Sequence, residues 1–198
     1  MRLLIMGAPG SGKGTQAVTI SARYRVPAIS TGDMFRAAVA SGSPLGVQVK
    51  ALLDSGALVP DEITDQVVSS RLREPDATAG WLLDGYPRTL AQVAALDSCL
   101  AEYDKQLNCV LVIEVPTEEL IHRLLLRGER EGRSDDNAET IARRLDVYRD
   151  QTEPVIAQYA SRGIVARVDG TGTVAETAAR ITAALDPVAG VTSRGCDC

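Results

Sequence analysis

Apolar residues along the chain gather into five short runs: RLLIM (2–6), VPAIS (26–30), WLLD (81–84), CVLVIEV (109–115) and IVARVD (164–169). Runs of this length and composition predict strands, and their alternation with helical stretches predicts βαβ units. The fold class that follows is α/β, a central parallel five-stranded sheet with helices on both faces. In such a sheet ligands gather beyond the carboxyl ends of the strands, and every motif considered below begins at or just after such an end. Two segments interrupt the alternation. Residues 31–60 read as helical, with turn signals at Gly42, Ser43, Pro44, Gly56 and Pro60, and form an inserted helical lobe between two strands. Residues 127–137, RGEREGRSDDN, are too polar for core and too rich in turn formers for a regular helix, so they read as a mobile flap. After Leu185 the sequence DPVAGVTSRGCDC loses hydrophobic periodicity and reads as a loose tail.

The first strand run leads into GAPGSGKGT (7–15), which matches G-x-x-x-x-G-K-[ST] from Gly7 except that Gly14 follows the lysine and Thr15 comes one place later. The physical requirement is still met. Glycines allow successive backbone N–H groups to converge on phosphate, and the following helix adds the positive end of its dipole. Lys13 supplies a charge for transferring phosphate oxygens. A glycine-rich turn without a ligand would need neither four glycines nor a lysine between a strand and a helix.

Composition narrows the picture. With 198 residues, 45% of them hydrophobic, the chain can fill one core but is short for two independent domains. A net charge of −5 provides no basic field for nucleic acid. No uninterrupted apolar segment approaches a membrane span, and MRLLIM stops at Gly7 with no small-residue cleavage site after it. A cytoplasmic protein without membrane or nucleic-acid partners is expected. Lysines stand only at 13, 50 and 105, so the other cations are arginines, the side chain suited to bidentate phosphate contacts; a genome-wide codon bias produces the same skew, so only the placement of particular arginines is informative. Cys99 and Cys109 read as core residues and Cys196 and Cys198 lie in the tail, with no spacing suited to structural zinc. His122, the single histidine, reads as a surface residue, and Trp81 as packing at a strand start.

Asp84 closes a buried strand at the sheet edge where phosphate should lie, a costly place for a carboxylate that faces no cation. A magnesium role fits, and so does a cap on the turn into Gly85. Arg123 and Arg127, four apart on a helix, share one face.

Read in order, GAPGSGKGTQ (7–16), STGDMFRAA (30–38), LLDGYPRTLAQ (82–92) and RGEREGRSDDNAETIARRL (127–145) resemble adenylate kinases, of the nucleoside monophosphate kinase family, over residues 1 to about 185. That resemblance implies a P-loop NTPase three-layer fold. Its core would comprise residues 1–29, 60–126 and 138–185, with a nucleotide-monophosphate-binding insertion at 30–59, a short lid at 127–137 and a disordered tail at 186–198. It implies a monomer that binds ATP, AMP and ADP and carries out the reversible, Mg2+-dependent reaction of ATP with AMP to give two ADP. Gly10, Ser11, Gly12, Lys13, Gly14, Thr15, Arg127 and Gly172 would contact ATP. Thr31, Arg36, Ala57, Leu58, Val59, Gly85, Tyr86, Pro87, Arg88, Gln92, Arg133 and Arg144 would contact AMP, with Tyr86 standing where Phe is more usual. Lys13, Arg88, Arg123, Arg127, Arg133 and Arg144 would act on the transferring phosphoryl group, and Asp84 would hold magnesium directly or through water. The flap is of the short type without cysteines, so no structural zinc is implied. For Gln92 a solvent-facing helix position, and for Gly172 a plain turn, would look the same in sequence. A UMP/CMP kinase on the same scaffold, and a nucleotide-sensing protein that catalyses little, remain open alternatives at this stage.

Overall fold

A computed structural model describes residues 1–133 and 135–190. Five strands form one sheet: β1 (Arg2–Met6), β2 (Ala28–Ser30), β3 (Trp81–Asp84), β4 (Cys109–Glu114) and β5 (Val165–Asp169), in the order β2-β3-β1-β4-β5. Every pairing is parallel, with Leu4 opposite Leu83 on one side and Val110 on the other. The continuous apolar runs are explained by burial on both faces. Leu4 and Met6 point into one core layer while Leu3 and Ile5 point into the other, the alternation that a two-residue period imposes.

Helices α1 (Lys13–Tyr24) and α9 (Val174–Ala189) cover one face through Ala17, Ile20, Ile181 and Leu185. Helices α4 (Asp61–Leu72), α5 (Leu90–Ala101) and α8 (Glu153–Ser161) cover the other through Val68, Val93, Leu96, Ile156 and Tyr159. Each fully buried Leu or Ile contributes about 1.5–3 kcal/mol. Trp81 packs in this second layer, and His122 is exposed, both as their sequence contexts suggest.

Between β2 and α4, helices α2 (Thr31–Ala40) and α3 (Pro44–Asp54) form the inserted lobe. Ser30 and Ser43 cap them, accepting hydrogen bonds from the backbone N–H groups of Asp33 and Gly46. Phe35, Val49 and Val59 form a small cluster of their own, joined by Ile63 and Val67 of α4.

Two expectations are corrected. Residues 127–131 of the proposed flap are helical, because α6 runs unbroken over Thr117–Glu131 and ends at Gly132 in the left-handed conformation. Its last turns are held from both sides. Leu120 and Leu124 are buried, and Gly128 lies so close to Asp136 that a Cβ would come within 2.9 Å of the Asp136 carbonyl oxygen. Polar composition concealed a helix anchored by tertiary contacts. Likewise, residues 186–189 of the expected tail extend α9, despite Pro187. Asp186 secures that turn by accepting hydrogen bonds from Arg23 Nη2 (2.6 Å) and the Tyr24 hydroxyl (2.8 Å). The rest of the tail, with Cys196 and Cys198, lies outside the described residues apart from Gly190, which caps the helix. A short α7 (Ala138–Val147) and a single π-turn (Tyr148–Thr152) lead from the flap into α8. Among the described residues no helix is long and apolar enough to cross a membrane.

Candidate functional site

A cleft of about 620 Å³ opens beyond the carboxyl ends of β1 and β3. The phosphate loop forms its floor, the inserted lobe and the segment after β3 form one wall, and α6, α7 and the flap form the other. Nearly all the residues singled out by sequence meet there. Two do not line it: Ser11 is 1% exposed beneath the loop, and Gly172 lies on an exposed turn between β5 and α9.

The loop needs glycine for close approach as well as for turning. Gly10 has φ +86°, and a Cβ there would fall 2.8 Å from the carbonyl oxygen of Leu120. The loop is therefore pressed onto α6, the helix that carries Arg123 and Arg127. Lys13 curls over the loop, donating to the carbonyls of Gly7 (2.7 Å) and Ala8 (2.9 Å). Burial lowers its pKa to about 8; the charge of Asp84 opposes this and those of Arg88, Arg144 and Arg127 reinforce it. The chain thus holds a lysine whose ammonium is strained by its surroundings and would be relieved by an anion.

Asp84 stands at the end of β3. Burial raises its pKa against the pull of Lys13 and Arg88, and its carboxylate approaches the start of α1, 4.0 Å from where a Cβ on Gly14 would lie. The chain then turns through Gly85 at φ +82° and a cis Tyr86–Pro87 bond. A Cβ on Gly85 would meet Arg88 Nη2 and Thr31 Oγ1, each at 2.8 Å. Arg88 Nε donates to the Gly85 carbonyl at 2.7 Å, and Thr31 donates to the same oxygen at 2.9 Å. Burial lowers the pKa of Arg88 despite Asp84, with Arg144 and Arg36 adding to the effect; so many cations in one cleft call for an anionic occupant.

The opposite wall is an arginine set held by carboxylates. Arg127 makes a two-pronged contact with Asp136, Nε to Oδ2 at 2.6 Å and Nη2 to Oδ1 at 2.8 Å, and Arg144 Nη1 donates to the same Oδ1 at 2.8 Å. The Asp136 side chain is fully buried. Burial works against its charge, but Arg127, followed by Arg144 and Arg133, outweighs burial and holds its pKa below the ordinary range. Arg133 donates to Glu131. Arg123 instead pairs with Glu119 and donates to the Gly170 carbonyl, linking α6 to the loop that carries Gly172. The two walls meet: a Cβ on Gly56 of the lobe would lie 2.8 Å from Cγ of Arg144.

Sequence reasoning missed four supporting residues. Asp61 and Asp65, one turn apart on α4, accept hydrogen bonds from Gln92 and Tyr86, both at 2.7 Å. Thr152 donates to the Arg88 carbonyl at 3.2 Å, and Arg180 ties the Gly172 turn through the carbonyls of Asp169 and Thr171. The spacing of Asp61 and Asp65 by one helical turn was the available signal, but it is also that of an ordinary solvated face.

The sequence model of the family described as adenylate kinase matches residues 5–164. The chain is 52% identical over 191 residues to an adenylate kinase of Micrococcus luteus, covering 96% of this chain and 93% of the relative. It is 51% identical over 188 residues to an adenylate kinase of a Nocardioides species, covering 95% and 98%. With an adenylate kinase of Stenotrophomonas maltophilia the identity is 48% over 185 residues, covering 93% and 99%.

Proposed function

Since the chain belongs to the adenylate kinase family, we propose that its cleft holds both nucleotides of the reaction, ATP on the phosphate loop and AMP against the inserted lobe. The protein is a nucleoside monophosphate kinase that interconverts ATP plus AMP and two ADP. What carries the two-nucleotide reading is one juxtaposition: the phosphate loop and the Gly85–Arg88 turn line a single cleft whose far wall carries Arg123, Arg127, Arg133 and Arg144.

In this reading Lys13 releases the carbonyls of its own loop and takes the β- and γ-phosphates. Arg88 and Arg36 hold the AMP phosphate, and Thr31 fixes the turn between them. The attacking oxygen of AMP and the leaving oxygen of ADP are brought into line by position alone, with no covalent intermediate. Arg127, Arg133 and Arg144 exchange their carboxylate partners for the transferring phosphoryl group, offsetting its charge in a cleft from which closure excludes water. Ala57, Leu58 and Val59 give the acceptor base an apolar seat. Gly172 offers backbone to the donor base, and Arg123 holds the neighbouring turn through Gly170. The inserted lobe and the segment that follows α6 act as the parts that move on the core.

The family's reaction uses magnesium with ATP. Among the described residues no group of three or more His, Cys, Asp or Glu side chains gathers as a protein-held ion would require, so the ion would take most of its ligands from phosphate and water. Asp84 fits the remaining role: its carboxylate stands at the end of β3 and faces the start of α1. Magnesium held there would supply positive charge to neutralise the phosphates.

The acceptor is tested by following ADP formation with AMP, UMP, CMP and GMP at equal concentration. AMP should be used by far the fastest; a preference for UMP or CMP would reject the acceptor assignment.

Lys13 gives a pH prediction. Its pKa of about 8 in the free protein should rise when polyphosphate binds, because the anion favours the ammonium. Binding then takes up a proton, and ATP affinity falls as pH rises above about 8, by up to about tenfold per pH unit. Titration calorimetry in two buffers of different ionisation enthalpy at pH 8.5 should reveal proton uptake in the wild type and less in Lys13→Met. Equal uptake in both proteins would remove Lys13 from this role.

A further inference from the structure

The side-chain amide of Gln92 is locked in one orientation. The backbone N–H of Arg88 donates to one of its terminal atoms at 2.7 Å, and Asp61 Oδ1 faces the other at 2.7 Å. A backbone N–H can only donate and a carboxylate can only accept. The atom facing Arg88 must therefore be Oε1, and the atom facing Asp61 must be Nε2. Rotating the amide by half a turn would set oxygen against carboxylate and NH2 against N–H, two repulsive contacts in a residue only 2% exposed. Asp61 is itself fixed, because its Oδ2 accepts from the Thr89 hydroxyl at 2.8 Å, and Thr89 in turn caps α5 by accepting from the Gln92 N–H.

We infer that Asp61 is a specificity-determining residue that, by fixing the Gln92 amide, selects acceptor bases by the polarity of their hydrogen-bonding edge. The inference rests on the reading of this wall of the cleft as the AMP site. An amide has two N–H groups and two oxygen lone pairs; Asp61 and Arg88 take one of each. One N–H and one lone pair remain, in a fixed order, for the cleft that Gln92 lines. They suit an edge that presents an acceptor beside a donor, as adenine does with N1 and its 6-amino group. Hypoxanthine has the same purine shape with the opposite polarity, an N1–H beside a 6-oxo group. A freely turning amide would accept either base. A locked amide leaves the hypoxanthine edge with donor facing donor and acceptor facing acceptor, the kind of mismatch that discriminates strongly in a buried site.

The test compares kcat/KM for AMP and IMP with ATP as donor. Asp61→Ala should lower the AMP-to-IMP ratio by about tenfold, with the AMP KM rising more than kcat falls. Asp61→Asn keeps an oxygen that can face Gln92 and should restore most of the ratio. In a Gln92→Leu background, Asp61→Ala should change the ratio no further, since the amide it orients is gone. Asp61→Leu serves the same comparison if the alanine variant does not fold. An unchanged ratio in Asp61→Ala, or an equal fall in both backgrounds, would overturn the inference while leaving the acceptor site in place. A wild-type ratio in Gln92→Leu alone would show that Gln92 does not face the base, and both the site reading and the inference would fall.

Discussion

Replacing Lys13 with Met is expected to lower turnover by roughly a thousandfold or more while leaving the fold intact. The side chain now donates to the carbonyls of Gly7 and Ala8, and its burial among Arg88, Arg127 and Arg144 lowers its pKa to about 8. An ammonium held at that cost contributes little to stability, so the melting temperature should stay within about 5 °C. What the variant lacks is a mobile cation on the phosphate loop as the phosphoryl group passes to the acceptor and negative charge builds on the β–γ bridging oxygen it leaves. Steady-state rates with saturating ATP and AMP, beside a thermal melt, check both halves. Near-normal turnover in a folded variant would remove Lys13 from the chemistry.

Arg88→Ala should reduce turnover by roughly a hundredfold to a thousandfold, with a different signature: the KM for AMP should rise steeply and that for ATP little. The reason is its place. Arg88 Nε is tied to the Gly85 carbonyl, which Thr31 also contacts, so the guanidinium is held on the side of the cleft proposed for the acceptor. Arg88→Lys should rescue little, because a point charge cannot reproduce the two-pronged contact of a guanidinium with phosphate. A variant with equal losses for both nucleotides would place Arg88 elsewhere than at the acceptor.

Much of the site was legible because its chemistry depends on local backbone shape. The glycines of the phosphate loop and the Asp84–Arg88 turn are short-range requirements, and they stand in the sequence as contiguous motifs. The strands were legible because a sheet buried on both faces leaves unbroken apolar runs. The supports were harder to read. Asp61 and Asp65 sit on α4 like any solvated carboxylates, and only the packing of α4 against α5 and the turn before it brings them to Gln92 and Tyr86. The 127–131 stretch is polar enough to suggest a loop, yet it is helical because Leu120 and Leu124, just before it, are buried and Asp136 closes over Gly128. The last turn of α9 depends on Arg23 and Tyr24, more than 160 residues away. Each miss is a tertiary contact overriding a local signal.

The same contrast explains the arginines. Sequence shows Arg127, Arg133 and Arg144 beside a run of acidic residues; the structure shows that Asp136, fully buried, gathers two of them into one place. A buried carboxylate with two guanidinium partners holds them side by side, so that both are at hand for an anion that enters the cleft.

The most direct test of the two-nucleotide cleft follows the phosphoryl group itself, using ATP labelled in its γ-phosphate with unlabelled AMP and magnesium. Label should appear in the β-phosphate of ADP, one for each AMP consumed, and this transfer should be lost in Lys13→Met. Release of the label as inorganic phosphate, or its retention in ATP while AMP stays bound, would contradict the account.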